Sequence, residues 1–227
     1  MTRSVRMAVI ALIGCAAILC AAAWRGAGRA KGPMIPDPKD DETRAPAKSQ
    51  ETVVFAGGCF WGIQAVFEHV KGVTKATAGY SGGNVKNPRY EEVSSGTTGH
   101  AESVEVVYDP SQITFGQLLK IFFSVAHDPT ELNRQGPDEG TQYRSAIFFT
   151  TPDQQRIAQA YVDQLTQAKV FPDPIVTQIQ PMKAFYRAED YHQDYARRHP
   201  ESLYIMINDA PKVSNLKKDF PDLYASR

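Results

Sequence analysis

The chain has 227 residues, 42% of them hydrophobic, which is enough for one core of ordinary size plus an appendage. Its 25 lysines and arginines balance 25 aspartates and glutamates. A chain without net charge has no global field that would attract nucleic acid or an anionic surface, so this composition argues against a polyanion-binding protein.

The N-terminus has the composition of an export signal. Arg3 and Arg6 precede an apolar run over residues 8–23, which predicts export over residues 1–24 and a periplasmic protein, or one anchored in the membrane and facing the periplasm. Three fates stay open: cleavage after the small residues 21–23, lipidation of Cys15, or retention as an anchor. Residues 25–50 are rich in glycine, proline and charge, which predicts a disordered linker.

Helical and strand patterns alternate from residue 51 to the end of the predicted domain, 51–227. Strands are expected at 52–56, 73–79, 102–108, 145–150 and 175–180, and helices at 61–70, 115–125, 151–168 and 188–198. Residues 127–144 form a long polar stretch typical of a functional loop. The tail from residue 203, with proline breaks at Pro211 and Pro221, is expected to wrap the body. This order predicts an α+β two-layer sandwich with a ferredoxin-like βαββαβ core, in which helices cover one face of a mixed, mostly antiparallel sheet.

The sequence GGCFWG at 57–62 lies where a predicted strand turns into a predicted helix. The first peptide N–H groups of a helix are unpaired, so a thiol placed there is expected to have a lowered pKa. A buried structural cysteine is the alternative. The glycines, which would let a substrate approach the sulfur closely, favour a reactive Cys59. Phe60 and Trp61 would wall an apolar pocket beside it.

Other polar residues gain a role only if they meet Cys59. Glu102 opens a predicted strand and is either a solvated strand-end carboxylate or, if it faces the thiol in an apolar pocket, a proton donor with a raised pKa. Tyr80, Tyr90 and Tyr143 lie in glycine- and proline-rich stretches. Their hydroxyls would either donate uncharged hydrogen bonds or simply pack the loops.

Several site classes lack their motifs. The five histidines show no HExxH spacing, and the chain has no CxxC, no GxGxxG before a helix and no phosphate-binding loop, which argues against a metal centre and a nucleotide cofactor. A cysteine hydrolase that uses His100 or His192 as its base stays open. A non-catalytic binding module is a second alternative.

Taken together, the motifs resemble those of peptide methionine sulfoxide reductases of the A type, from about residue 51 to the end. The segments that match in order are 58–62 (GCFWG), 79–83 (GYSGG), 87–93 (NPRYEEV), 99–102 (GHAE), 108–110 (YDP), 127–129 (HDP), 134–136 (RQG), Asp138, 140–144 (GTQYR) and 188–193 (AEDYHQ). The resemblance implies an enzyme that reduces the S epimer of methionine sulfoxide, free or in proteins. The binding-module alternative would then be an exported, non-catalytic protein that binds oxidised methionine segments.

The resemblance also implies a role for each matching residue. Cys59 would attack the sulfoxide sulfur, and Glu102 would give its proton to the sulfoxide oxygen. The further roles would be hydrogen bonds to that oxygen from Tyr90 and Tyr143, support of the site by Asp138, and a pocket for the S-methyl group made by Phe60 and Trp61. Methionine would leave, with Cys59 left as a sulfenic acid.

The sequence departs from the better-known family pattern in its cysteines. Many relatives carry resolving cysteines in the tail, but residues 202–212 contain none, and Ser94 stands where some relatives have cysteine. The chain is therefore expected to be a single-cysteine form that binds no cofactor and is regenerated by an outside thiol: a thioredoxin-like protein, a glutaredoxin-type protein or a small thiol. A monomer is expected, with oxidised proteins or free methionine sulfoxide and the reductant as its partners.

Overall fold

The computed structural model of the protein describes residues 35–226. The predicted export signal and the first part of the predicted linker lie outside these residues. Eight strands are present in the described part: β1 (Glu51–Ala56), β2 (Val73–Ser81), β3 (Ala101–Tyr108), β4 (Arg134–Gln135), β5 (Asp138–Glu139), β6 (Ala146–Phe149), β7 (Gln178–Pro181) and β8 (Phe185–Arg187). Its α-helices are α1 (Phe60–Glu68), α2 (Tyr90–Ser94), α3 (Phe115–Ile121), α4 (Pro152–Gln167), α5 (Tyr195–Arg198) and α6 (Ala210–Asp219).

Six of the strands form one sheet in the order β7-β6-β1-β3-β2-β8, antiparallel throughout except between β6 and β7. Strand β3 lies between β1 and β2 and runs antiparallel to both, so β1 and β2 are the parallel ends of a split βαβ unit joined by α1. The expected ferredoxin-like core and the mixed, mostly antiparallel sheet are confirmed. The edge strand β8 and the short helix α2 had no clear sequence signal.

The helices cover one face of this sheet. Alternation along β1 sends Val53 and Phe55 to the helical face, where Phe55 stacks on Phe67 of α1 and on Phe122 after α3, with ring centroids 5.0 and 4.6 Å apart. Residues of the opposite face form a smaller apolar cluster under the segment before β8. Within residues 35–226, no helix is both long and apolar enough to span a bilayer.

The prediction of a disordered linker is wrong for residues 35–50, which pack on the domain. Ile35 is buried in the main core. The Asp41 carboxylate accepts hydrogen bonds from Thr114 Oγ1 at 2.5 Å and from the Gly116 amide at 2.8 Å, and Glu42 accepts one from the Phe115 amide at 2.7 Å. These acidic residues satisfy the unpaired amides at the start of α3, a pairing that composition alone does not reveal.

The tail wraps the body as expected, but it is more regular than its prolines suggested. Helix α6 packs against α1 and buries Leu216. Beyond it, the Lys71 amide donates to the Leu223 carbonyl at 2.7 Å. Pro211 does not break the tail, because it lies in the first turn of α6, where a missing N–H leaves no hydrogen bond unmade.

The polar stretch 127–144 contains a small hairpin, β4–β5, and a 3₁₀ turn, Thr141–Tyr143. A β-carbon added to Gly58 would lie 2.5 Å from Gln135 Cβ, and one added to Gly57 would lie 2.8 Å from His127 Cγ. The stretch therefore lies directly against the two glycines that precede Cys59, as expected for a functional loop.

Candidate active site

Cys59 lies at the point where β1 turns into α1, as the sequence predicts. It is the N-cap residue of α1 and its exposed fraction is 8%. The turn needs glycine at 58, since the backbone there has φ +93 and Gln135 fills the space of a side chain. The thiol is thus held at a helix start with little access to solvent.

The expected lowering of the thiol pKa is wrong. Burial raises the pKa of Cys59 well above its usual range, and the carboxylates of Glu102 and Asp209 raise it further. A hydrogen bond from the Trp61 amide at the helix start lowers it, but this effect is smaller than burial. The resting thiol is therefore neutral, and it becomes a nucleophile only if a neighbouring group takes its proton.

Glu102 is that neighbour, and the structure decides between the two predictions for it. It is 2% exposed at the start of β3, accepts a hydrogen bond from the Phe60 amide at 3.1 Å and interacts with the Cys59 thiol. Burial raises its pKa to about 8, with Asp138 and Asp209 adding to the effect. Glu102 is therefore a buried acid that holds a proton at neutral pH, not a solvated strand end.

An aromatic wall stands beside the thiol at the start of α1. Phe60 is buried and Trp61 is half-buried. Trp61 stacks on Tyr195 with ring centroids 3.8 Å apart and meets the edge of Tyr204 at 5.8 Å. Tyr195 lies in the last predicted helix and Tyr204 opens the tail, and no sequence pattern assigned either of them to the site. The wall is apolar and rigid, which suits a small alkyl group.

The Tyr90 and Tyr143 side chains are both half-buried near the Cys59–Glu102 pair. Burial raises the pKa of Tyr90 to about 12 and that of Tyr143 further, and the charge of Glu102 acts on both phenols. No residue in the described part of the chain hydrogen-bonds to either hydroxyl. They remain protonated and can donate to a ligand oxygen.

The third loop tyrosine does not belong to this group. Tyr80 is a fully buried residue of β2, and its hydroxyl donates to Glu189 Oε2 at 2.8 Å. Glu189 also accepts from the Tyr90 amide at 3.0 Å, so it fixes the start of α2 relative to the sheet. Tyr80 is thus a support for the site, and its place in the core was hidden by the glycines that follow it.

Asp138 lies at the edge of the site on strand β5. Its carboxylate accepts a short hydrogen bond from the Tyr204 hydroxyl and its charge acts on Glu102. This contact joins the hairpin to the tail across the aromatic wall. The support of the site by Asp138 that the resemblance implies stays a prediction, and its hydrogen-bond partner Tyr204 was not predicted from the sequence.

Neither histidine considered as a hydrolase base is among the neighbours that act most strongly on the Cys59 thiol. Nδ1 of His100 accepts from the Gly83 amide at 3.1 Å, and its Nε2 lies 2.8 Å from the Val85 carbonyl. His192 Nδ1 accepts from Trp61 Nε1 at 3.2 Å, and burial lowers the pKa of His192. In residues 35–226, no three His, Cys, Asp or Glu side chains come close enough to form a metal site.

Comparison with known proteins agrees with this geometry. The family model for peptide methionine sulfoxide reductase matches residues 51–223. The chain belongs to the peptide methionine sulfoxide reductase family. It is an oxidoreductase that reduces methionine sulfoxide.

Individual relatives point to the same family. The peptide methionine sulfoxide reductase MsrA 2 of Mesorhizobium japonicum is 59% identical over 82% of this chain and 95% of its own length. The protein of the same name from Synechocystis sp. is 52% identical over 83% of this chain and 89% of its own length. Neither of these relatives supports a hydrolase or a binding module.

Solved structures of the family share the fold. Mxr1 of Saccharomyces cerevisiae in its reduced form is 32% identical, with a TM-score of 0.63 over 73% of this chain and 93% of its own. Methionine sulfoxide reductase A of Corynebacterium diphtheriae is 37% identical, with a TM-score of 0.59 over 75% and 88% of the two chains. The α+β core around Cys59 is therefore the core of this enzyme family.

Proposed function

We propose that Cys59 is the residue that takes the oxygen from the S epimer of methionine sulfoxide. The observation that supports this is the buried pair of Cys59 and Glu102 beside two phenols with no hydrogen-bond partner in the described chain. A sulfoxide is neutral and polar, so its oxygen needs donors and its sulfur needs an adjacent nucleophile. The pair and the phenols supply both.

Glu102 takes part in both proton transfers of the proposed reaction. The Glu102 carboxyl gives its proton to the sulfoxide oxygen and receives the proton of the Cys59 thiol. The S–O bond of the substrate breaks as an S–O bond forms on Cys59, so the substrate sulfur is reduced by the two electrons that Cys59 loses. Tyr90 and Tyr143 hydrogen-bond the oxygen as negative charge builds on it.

The aromatic wall beside Cys59 is the proposed binding surface for the methyl group on the substrate sulfur. We propose that Phe60 and Trp61 hold the S-methyl group, because a dry aromatic surface accepts a methyl and rejects water. Asp138 supports the site through its hydrogen bond with Tyr204, which packs on Trp61. The substrate is thus fixed at its oxygen and at its methyl and is attacked at its sulfur by Cys59, and these three fixed directions together distinguish the two epimers at sulfur.

The product on the enzyme is a sulfenic acid that this domain cannot resolve alone. Cys59 is the one cysteine between residue 51 and the end of the chain. We propose that an outside thiol attacks Cys59 sulfur, the hydroxyl leaves as water with the proton of that thiol, and a second thiol releases Cys59 and carries away the disulfide. A thioredoxin-like protein, a glutaredoxin-type protein or a small thiol would fit.

The proposed location is outside the cytoplasm. The support is the basic start and apolar run of residues 1–24, which lie outside the described residues. The protein would be periplasmic or anchored there, and a monomer. Cell fractionation with mass measurement of the mature full chain tests this, since a cytoplasmic, uncleaved and unlipidated protein contradicts it.

One assay tests the reaction and its stereochemistry. Dabsylated S- and R-methionine sulfoxide are incubated with dithiothreitol and either the wild type or Cys59→Ser. Reduction of the S epimer alone, lost in Cys59→Ser, is expected; reduction of neither epimer contradicts the proposal. Mass spectrometry after one turnover without reductant should find one added oxygen on Cys59, whereas an internal disulfide to Cys59 would contradict the single-cysteine form.

A further inference from the structure

A buried ion pair of the tail lies against the first turn of α1, close behind Cys59. The Asp209 side chain has 0% exposure, and Lys212 Nζ lies 3.2 Å from its Oδ1. A β-carbon on Gly62 would lie 2.1 Å from Asp209 Oδ1 and 2.7 Å from Lys212 Nζ. The missing side chain at Gly62 therefore makes room for the pair on the helix that starts at Cys59.

The pair is incompletely satisfied. Asp209 Oδ2 is buried and has no hydrogen-bond partner among residues 35–226. A buried carboxylate oxygen left without a donor is costly, and apolar side chains of similar size generally hold two elements together at least as well. Anchoring of the tail alone therefore does not account for a charged residue here.

Burial raises the pKa of Asp209, and the paired ammonium of Lys212 opposes this effect by stabilising the carboxylate. The ionised form of Asp209 acts on both reacting groups. It adds to burial in raising the pKa values of Cys59 and Glu102, while Lys212 acts on Cys59 in the opposite direction. Among the carboxylates that act on Glu102, Asp209 is the fully enclosed one and is therefore screened least by solvent and salt. The titratable groups that face the Cys59–Glu102 pair are Tyr80 from β2, Tyr90 from α2, Asp138 from β5, Tyr143 from the 3₁₀ turn, and Tyr204, Asp209 and Lys212 from the tail.

We infer that Asp209 is a positioning residue whose negative charge, balanced by Lys212, keeps the transferable protons on Cys59 and Glu102 until sulfoxide binds. The proton on Glu102 is the one that the sulfoxide oxygen takes. The proton on Cys59 keeps the sulfur in its thiol form, and the thiolate is the form that oxidants attack. Such protection matters in a domain with no second cysteine. The inference rests on the roles proposed above for Cys59 and Glu102.

The test compares Asp209→Asn, the double variant Asp209→Asn with Lys212→Met, and Lys218→Met as a control on an exposed position of the same helix. The rate of Cys59 alkylation by iodoacetamide is measured against pH for each full-length protein. Asp209→Asn is expected to move the midpoint to lower pH by about one unit, because it removes a negative charge and leaves the lysine unbalanced. The double variant is expected between Asp209→Asn and wild type, and Lys218→Met at the wild-type midpoint.

The same order is expected for the alkaline limb of single-turnover methionine formation. The inference is overturned if the pH profiles of wild type and Asp209→Asn coincide while their circular dichroism is unchanged. It is also overturned if the midpoint of the double variant shifts further from wild type than that of Asp209→Asn. If Asp209→Asn does not fold, the double variant, which buries no unpaired charge, decides alone: its midpoint must lie below that of wild type. If the wild-type protein forms no methionine, the proposed function is contradicted and the inference is not. The alkylation profiles then still measure the effect of the Asp209 charge on Cys59.

Discussion

Glu102 Oε2 accepts a hydrogen bond from the amide of Phe60 at 3.1 Å, which joins the start of β3 to the first residue of α1. The bond fixes the carboxyl beside Cys59, the residue that precedes Phe60. It also means that the helix start stabilises the glutamate as well as the thiol. Burial outweighs that stabilisation at both groups, so both hold protons at neutral pH.

The first prediction concerns the pH at which this carboxyl loses its proton. The pKa of Glu102 is raised to about 8, so Glu102 is protonated and able to donate below that pH and is ionised above it. The single-turnover rate of sulfoxide reduction is therefore expected to fall as the pH rises through about 8. Glu102→Gln should reduce the rate by about 100-fold or more and should remove this alkaline limb.

Glu105→Gln is the matched control, because Glu105 lies three residues further along β3 and its side chain is on the opposite face of the sheet. It should keep both the rate and the limb. If the single-turnover rate of Glu102→Gln still falls at alkaline pH as in wild type, the group that loses its proton there is not Glu102.

The second prediction concerns the two phenols. Tyr90→Phe and Tyr143→Phe each remove one donor to the sulfoxide oxygen, and each is expected to lower kcat/KM by about 10- to 100-fold. The double variant should lose more than either single variant. Tyr186→Phe, in the edge strand β8, serves as the control and should leave kcat/KM unchanged. Single variants with wild-type kcat/KM would show that the hydroxyls do not reach the oxygen.

Much of this fold could be predicted from sequence because its signals are local. The β-branched run of β1, the helical spacing after Cys59 and the Asp109-Pro110 stop of β3 each lie within one element. The same holds for the position of Cys59 at a strand-to-helix turn. Those patterns were sufficient for the order of elements and hence for the ferredoxin-like core.

The unpredicted features depend on contacts between distant segments. The raised pKa of Cys59 depends first on burial by the folded chain and then on Glu102 and Asp209, which lie 43 and 150 positions further along the chain. Periodicity gives no information about such neighbours. The glycine at 62, which looked like an ordinary member of a motif, is required by the tail that packs on it. The sequence therefore located the cysteine that is proposed as the nucleophile but gave an incorrect prediction of its charge state.

The third prediction concerns the segment before β1, which was expected to be disordered. Asp41 caps the start of α3 through Thr114 and Gly116, so Asp41→Ala is expected to lower the free energy of unfolding by about 1–2 kcal/mol. Urea denaturation followed by circular dichroism measures this. Activity at low denaturant should be unchanged, because Asp41 does not touch the site.

The neighbouring residue gives a matched control for this effect. Asp40 pairs with Arg156 on the exposed surface, where an ion pair contributes little, so Asp40→Ala should change the free energy of unfolding by less than about 1 kcal/mol. Equal effects of Asp40→Ala and Asp41→Ala would mean that the capping contacts do not hold this segment on the domain.

The fourth prediction concerns the close approach of the tail to α1. Alanine normally stabilises a helix relative to glycine by about 1 kcal/mol. At Gly62 the new methyl would lie 2.1 Å from Asp209 Oδ1, so the Asp209–Lys212 pair must move away from the helix. Gly62→Ala is therefore expected to lower both the free energy of unfolding and the single-turnover rate.

A double-mutant cycle tests that cause directly. In an Asp209→Ala background the carboxylate is gone, and the Lys212 ammonium, which would lie 2.7 Å from the new methyl, has lost its partner and can move away at the end of its flexible side chain. Gly62→Ala should therefore be neutral or stabilising by about 1 kcal/mol in this background. The coupling between the two positions, read from urea denaturation, is expected to be large and to have this sign because the steric conflict needs both side chains. Additive effects of Gly62→Ala and Asp209→Ala on the free energy of unfolding would contradict the close approach, because they would show that the Asp209 side chain does not contact α1 at Gly62.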